Sequence, residues 1–335
     1  MKHDHSSAEA ACTTAPGHSL VLHAAAARPA PEPALLQSIV ALCAGPNAPL
    51  QTLDHPQWRE RAYRIPMASK PAPDSQQARQ LQQCCEQAAL DLAWLETRSL
   101  NARSLNARSL NARSLNDFGL LAMDMDSTLI TIECIDEIAD MQGLKPQVAA
   151  ITEAAMRGEL DFAQSLRRRV ALLEGLPEQA LQTVYDSRLQ LNPGAQSLLD
   201  AAHAAGLHTL LVSGGFTFFT ERLQQRLGLR QTLANTLEVS QGKLTGRVLG
   251  DIVDARAKAD CVRNAAQRLG LQPAQIMTMG DGANDLAMMA ESGVSIAFHA
   301  KPAVRAQASH AFNHAGLDGV LALFPPRGMR YVDMH

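Results

Sequence analysis

Four acidic residues, Asp124, Asp126, Asp281 and Asp285, stand in two short polar stretches, AMDMDSTLI and MGDGAND, each following an apolar run. Carboxylates gathered at one place repel one another unless a cation neutralises them, and hard oxygen donors suit Mg²⁺. Between these stretches, Ser213, Gly214 and Gly215 in LLVSGGF offer a hydroxyl and closely approachable backbone N–H groups at a helix start. That arrangement binds anions, and beside a hard cation the anion is a phosphate. Lys258 in DARAKADCV would supply a compact positive charge. Each stretch alone has an ordinary structural reading. A single DxDxT caps a helix or makes an Asx turn, SGG is a common turn, and most lysines are solvated. Their shared placement after apolar strands, with compatible charges, outweighs those readings.

The elements that must carry these residues alternate between strand and helix. FGLLAM (118–123), HTLLV (208–212), IMTM (276–279) and VSIAF (294–298) read as buried strands of a mostly parallel α/β sheet. Ligands of such sheets gather at the carboxyl ends of the strands, where all three polar stretches fall. A mostly helical insert over about 137–188, including LRRRVALLEGLPEQALQTVY with Pro177 in a first turn, is too long for a plain crossover and is a candidate lid. LEVSQGKLTGRVLG reads as a hairpin with Gly242 in its turn. These elements make a domain over 117–325, with a C-terminal tail at 326–335.

Ahead of it, residues 19–97 read as a small α+β domain. SLVLHAA is a strand, EPALLQSIVALCAG a helix begun at Pro33 and closed at Gly45, and WRERAYRIPMA an extended stretch. A second helix runs through DSQQARQLQQCCEQAALDLAWLE, capped by Asp74 or Ser75. The domains are joined by RSLNARSLNARSLNARSLN (98–116). A five-residue step turns successive leucines by about 140° around a helix and flips faces in a strand, so the repeat forms no apolar stripe and reads as a spacer.

Composition excludes several classes. The 335 residues are 46% hydrophobic, which is too apolar for a disordered chain, and 30 Lys+Arg against 33 Asp+Glu leave no excess of positive charge for nucleic acid. The start lacks an apolar signal region and no apolar run is long enough to span a membrane, so the expectation is a soluble cytoplasmic protein with no membrane partner. Residues 1–18 read as a disordered tail, in which His3 and His5 carry no site. Cys12, Cys43, Cys84, Cys85, Cys134 and Cys261 make no CxxC pair, as expected of reduced thiols. The oligomeric state stays open, a homodimer included.

DMDSTLI, VSGGF, Lys258 and GDGAND resemble the four successive motifs of the haloacid dehalogenase superfamily of phosphohydrolases. DMDSTLITIECIDEIA, MRGELDFAQSLRRRVALLEGLP, GKLTG and GDGANDLAMMAESGVSIAFHAKP narrow the likeness to its phosphoserine phosphatases, over roughly 117–320. The resemblance implies a Rossmann-like sheet with a helical cap inserted after the first catalytic strand. It implies Mg²⁺-dependent hydrolysis of O-phospho-L-serine, the last step of serine biosynthesis, through an aspartyl-phosphate. Asp124 would be the nucleophile and Asp126 the general acid and base. Asp124, Asp281 and the Asp126 backbone carbonyl would hold the metal, with Asp285 buttressing them and Asn284 orienting the site. Ser213, Gly214 and Lys258 would bind the phosphoryl oxygens.

Specificity, by the same resemblance, lies in the cap: Glu133 for the substrate ammonium, Arg169 for its carboxylate, Phe162 and Met156 lining the lid. Glu133 also has a reading as a first-turn helix residue, and Arg167 and Arg168 read as a solvated face. Two alternatives stay open: transfer of the phosphoryl group to another hydroxyl such as that of homoserine, and a regulatory binder that keeps the fold without the chemistry. The N-terminal region is compatible with an ACT-like domain, without an assignable ligand.

Overall fold

Residues 17–25, 27–96 and 113–334 are described by a computed structural model. The chain through residue 16, with His3, His5 and Cys12, and the first three repeat units lie outside the described residues, as does the side chain of Met156.

The first unit runs β1 (His18–Ala24), α1 (Pro33–Ala44), β2 (Gln51–Leu53), β3 (Ala62–Met67), α2 (Gln76–Gln87) and β4 (Leu90–Glu96). Pro33 opens α1 and Gly45 closes it at φ 92°. The Ser75 side chain caps α2 by accepting from the Ala78 N–H. One strand of this unit, β4, stands where a helix is expected. The second helix is expected to run on through LDLAWLE, but it ends at Gln87, the chain turns through Ala89 at φ +52°, and LDLAWLE is β4. The reason is that β4 is covered on both faces. Leu90, Leu92 and Trp94 meet the cluster under α1 and α2, while Ala93 and Leu95 join the core shared with the rest of the chain. A strand apolar on both faces carries no alternation to distinguish it from a buried helix.

The second unit begins with β5 (Leu120–Met123), followed by the helical insert α3 (Cys134–Asp140), α4 (Lys145–Met156), α5 (Phe162–Ala171) and α6 (Gln179–Ser187). Then come α7 (Ala195–Ala204), β6 (His208–Phe216), α8 (Thr217–Leu227), β7 (Gln231–Ser240), β8 (Lys243–Leu249), α9 (Ala255–Leu269), β9 (Ile276–Gly280) and α10 (Leu286–Met289). The chain ends through β10 (Val294–Phe298), α11 (Pro302–Arg305), β11 (His310–Phe312), α12 (Gly319–Leu323) and β12 (Tyr331–Asp333).

The large sheet has the order β11-β10-β9-β5-β6-β7-β8 and is parallel except where β8 folds back on β7. Gln241 and Gly242, at φ 49° and 73°, make that turn, a conformation that a tight hairpin requires. Along β5, Leu120 and Ala122 face the α9 side while Leu121 and Met123 face the main core. Successive strands lie on opposite sides of β5, with β6 on one flank and β9 on the other, so the order reverses there. That reversal opens a crevice at the carboxyl ends.

Tyr331–Asp333, expected to be part of a tail, is instead the edge strand of the small sheet, β12-β2-β3-β1-β4, pairing antiparallel with β2. The last repeat unit is also more than spacer. Ser114 caps a single 3₁₀ turn over Leu115–Asp117 and donates to the Pro325 carbonyl at 2.8 Å, Leu115 is fully buried, and the Arg113 guanidinium donates to the Ala274 carbonyl. No helix among the described residues is long and apolar enough to cross a membrane.

Candidate active site

At the carboxyl end of β5 the Asp124 N–H donates to the Met279 carbonyl of β9 at 3.0 Å, extending the ladder by one residue and fixing the backbone there. Asp124 is buried, and its Oδ1 accepts from Lys258 Nζ at 2.7 Å. Lys258, in the first turn of α9, is 1% exposed and also donates to Asp285 Oδ1 at 2.8 Å. An ammonium has three protons, so one remains for a ligand. The other Asp285 oxygen accepts from the Gly282 N–H at 3.1 Å. Both its oxygens are therefore engaged by protein groups.

After Asp124 the chain turns sharply through Ser127, at φ +56°, with the Ile130 N–H returning to the Met125 carbonyl at 3.0 Å. This brings Asp126 beside α3, where its Oδ1 accepts from the Cys134 N–H at 3.2 Å. Ser127 Oγ donates to Glu133 Oε1 at 2.8 Å, which directs that carboxylate toward the cavity. Sequence reasoning missed the clamp on this turn. Asn192 Nδ2 lies 2.8 Å from the Thr128 carbonyl, 3.0 Å from that of Ile130 and 3.4 Å from that of Ser127. A side chain bonded to backbone leaves no periodic signal; its placement before Pro193, in an NPG turn, was the only cue.

Ser213 ends the apolar part of β6, and its Oγ accepts from the Gly215 N–H at 2.8 Å. A Cβ on Gly214 would come within 2.9 Å of Phe162 Cζ, and one on Gly215 within 2.7 Å of Asp126 Oδ2. Glycine is thus required by close approach, with the cap above Gly214 and the acid beside Gly215. The cap is held on its far side by backbone bonds to the β7–β8 hairpin: Gly175 N–H to the Leu244 carbonyl and Leu244 N–H to the Leu176 carbonyl, both 2.8 Å.

Cap and core enclose a cavity of about 550 Å³. Asp124, Asp126, Gly214, Gly215, Asp281 and Asn284 line its floor; Glu133, Phe162 and Arg169 line the cap side. Asp136 and Lys301 also line it, and neither was singled out from sequence. Arg169 Nε is buried with no protein partner, a donor that awaits an acceptor. Arg167 and Arg168 are exposed.

The electrostatics follow from crowding acids in a dry place. Burial, then Glu133, lifts Asp126 to about 7, against the opposing Cys134 N–H. Burial and then Asp285 lift Asp281 to about 7. Burial and Asp285 push Asp124 up while Lys258 opposes them. Against burial, which would lower it, Asp124 and Asp285 raise Lys258 above its ordinary value. One ammonium among three buried or half-buried carboxylates leaves negative charge uncompensated. Oxygen atoms of Asp124, Asp281 and Asp285 lie within 4.8 Å of one another, so this donor set fits a hard divalent cation.

Residues 121–290 match the family of haloacid dehalogenase-like hydrolases. The chain belongs to that family. It is 56% identical over 212 residues to a phosphoserine phosphatase of Polaromonas sp., a stretch covering 62% of this chain and 90% of that protein. A probable phosphoserine phosphatase from Vibrio cholerae, solved unliganded, superposes with a TM-score of 0.72 at 36% identity, covering 93% of this chain and 88% of its own, so the likeness includes the N-terminal unit. A phosphoserine phosphatase solved as a phospho-aspartyl intermediate analogue matches with a TM-score of 0.58 at 36% identity, covering 62% of this chain and 99% of that one.

Proposed function

We propose that this chain hydrolyses O-phospho-L-serine to L-serine and phosphate through an aspartyl-phosphate on Asp124, with Mg²⁺ as its cation. The observation that carries the reading is the Asp124–Lys258–Asp285 bridge, which reaches a capped cavity through Asp124, with Glu133 and Arg169 on the cap side of that cavity. The names of the relatives support the substrate.

In the first half-reaction an Asp124 oxygen forms a bond to phosphorus as the bond from phosphorus to the serine oxygen breaks, and Asp126 delivers a proton to that oxygen. In the second, Asp126 takes a proton from a water that attacks phosphorus, and the Asp124 carboxylate leaves. A carboxyl raised to about 7 suits a group that first gives a proton and then takes one. Lys258, Ser213 and the Gly214 backbone hold the phosphoryl oxygens, while Asp285 keeps Lys258 in place. Asp124, Asp281 and the Asp126 carbonyl would hold Mg²⁺, which when bound offsets charge on the phosphoryl group. Glu133 meets the substrate ammonium and Arg169 its carboxylate; Phe162 closes over them, and Met156 is assigned to the same lid. Five free cysteines among the described residues support a reducing, cytoplasmic setting.

The test is phosphate release from phosphoserine with Mg²⁺, with and without homoserine, by the wild-type chain and Asp124→Asn. We expect stoichiometric release in both media, no phosphohomoserine, and no turnover by the variant. Phosphohomoserine would identify a transferase, and equal turnover by Asp124→Asn would remove the nucleophile assignment. No turnover of any phosphate ester by the wild type would identify a binder.

A further inference from the structure

Asn235, on β7, is 1% exposed and is not among the residues that line the cavity, yet both ends of its side-chain amide are hydrogen-bonded. It stands opposite Phe216, at the point where the pairing of β6 with β7 shifts register between Val212 and Phe216. At that shift Ser213, Gly214 and Gly215 leave the ladder, and backbone groups that leave a buried ladder need other partners. Asn235 supplies them: its Nδ2 donates to the Gly214 carbonyl at 2.8 Å, and its Oδ1 accepts from the Val253 N–H at 2.8 Å. A carbonyl can only accept and an N–H only donate, so the orientation of the amide is fixed by its two neighbours.

Each bond reaches one phosphate-binding group. In a trans peptide the carbonyl and the following N–H point in opposite directions. Holding the Gly214 carbonyl toward Asn235 therefore aims the Gly215 N–H toward the site, where Ser213 Oγ accepts it at 2.8 Å. With that lone pair occupied, the Ser213 hydroxyl keeps its proton to donate. The second bond pins Val253, just before Asp254. Asp254 accepts from the Ala257 N–H at 2.9 Å to begin α9, and its carbonyl accepts from the Lys258 N–H at 3.0 Å. One amide thus ties the loop that carries Ser213 to the helix start that carries Lys258.

We infer that Asn235 is a positioning residue of the phosphoryl site, setting the direction of the Ser213 hydroxyl through Gly214 and the seating of Lys258 through Val253. The inference rests on the phosphoryl-transfer reading above for the identity of the anion. It does not depend on the amino-acid part of the substrate.

The experiment compares the wild-type chain with Asn235→Ala and Asn235→Asp in Mg²⁺. It measures kcat and KM on phosphoserine and on an aryl phosphate, and the Kd of orthophosphate by calorimetry. Asp keeps the acceptor for Val253 but sets an oxygen against the Gly214 carbonyl, so it isolates the Gly214 bond. Both variants are expected to lose about 10- to 100-fold in kcat on both substrates, the scale of a misplaced reacting group, and to bind orthophosphate more weakly. The ratio of the two KM values stays unchanged. Folded variants with wild-type kcat and orthophosphate affinity would reduce Asn235 to a structural hydrogen bond. In the wild type, which needs no variant to fold, the Asn235 side-chain amide resonance is expected to move on orthophosphate titration, and a stationary resonance overturns the inference. Turnover of the aryl ester without turnover of phosphoserine overturns the substrate reading alone. A wild type that neither binds orthophosphate nor cleaves the aryl ester overturns both.

Discussion

Lys258 Nζ and Asp124 Oδ1 are 2.7 Å apart, with both residues buried. The ammonium is shared with Asp285, so removing it leaves two buried carboxylates facing each other. We expect Lys258→Met to lower stability in chelator by about 3–5 kcal/mol, the usual effect of stranding a buried charge. Added Mg²⁺ should recover part of that loss, because a cation at Asp124 and Asp281 replaces the missing charge. Urea unfolding with EDTA and with Mg²⁺ reads both effects; equal stability of variant and wild type in EDTA would contradict the bridge.

Arg169 presents a buried Nε without a protein acceptor, and its environment includes Asp136 and Glu133. An acceptor brought by the substrate would complete it. Arg169→Ala should lower kcat/KM on phosphoserine by about 10- to 100-fold, the range of lost hydrogen bonds to a charged group, with little change on an aryl phosphate that has no carboxylate. Steady-state kinetics on the two esters decide, and equal losses would remove the carboxylate-binding role.

His23 gives the small sheet an acid limit. Burial, with the charge of Arg61 adding to it, pushes this imidazole down to about 3, and neither ring nitrogen has a partner. The unfolded chain titrates near the ordinary value of about 6.5. Between those values the unfolded state binds a proton that the native state does not, so stability rises with pH across the window and falls as pH drops through it. The slope from this one group approaches about 1.4 kcal/mol per pH unit. His23→Leu should flatten the fall in urea midpoint between pH 7 and pH 4.5; an unchanged slope would show that His23 is not the group responsible.

The repeat divides into parts with different consequences. Deleting residues 102–116 leaves one RSLN directly before Asp117, so the chain keeps a unit able to dock as Arg113–Asn116 does. Loop length costs only about 0.6 kcal/mol per doubling, so stability and turnover should stay close to wild type. Leu115→Ala, by contrast, empties a fully buried position and should cost about 2–5 kcal/mol. Thermal denaturation and phosphatase assays of both variants separate the cases. A loss of turnover at unchanged melting in the deletion would give the spacing a role in catalysis.

Much of the site could be read from the letters because its residues lie at strand ends. Asp124, Ser213 and Asp281 each follow an apolar run, and burial of a parallel strand on both faces makes such runs conspicuous. The same physics hid β4, whose two apolar faces in LDLAWLE gave no alternation. Asn192 escaped notice because it acts on backbone carbonyls, which carry no sequence pattern. Leu115 looked like one of four equal leucines, and its burial comes from tertiary packing that no local pattern announces. The pairing of Tyr331–Asp333 with β2 joins distant parts of the chain, beyond the reach of any local window.

That last pairing sets an order in time. Asp333 lies beside Gln51 and Tyr331 beside Leu53, so a strand made early is covered by one made much later. At ribosomal speeds of roughly 5–20 residues per second, β2 waits on the order of tens of seconds with its outer edge bare. An uncovered strand edge invites pairing with other chains. A nascent or C-terminally trimmed chain would therefore carry every residue of the candidate site and an unfinished first sheet, and its hazard would be misassembly at the N-terminal unit.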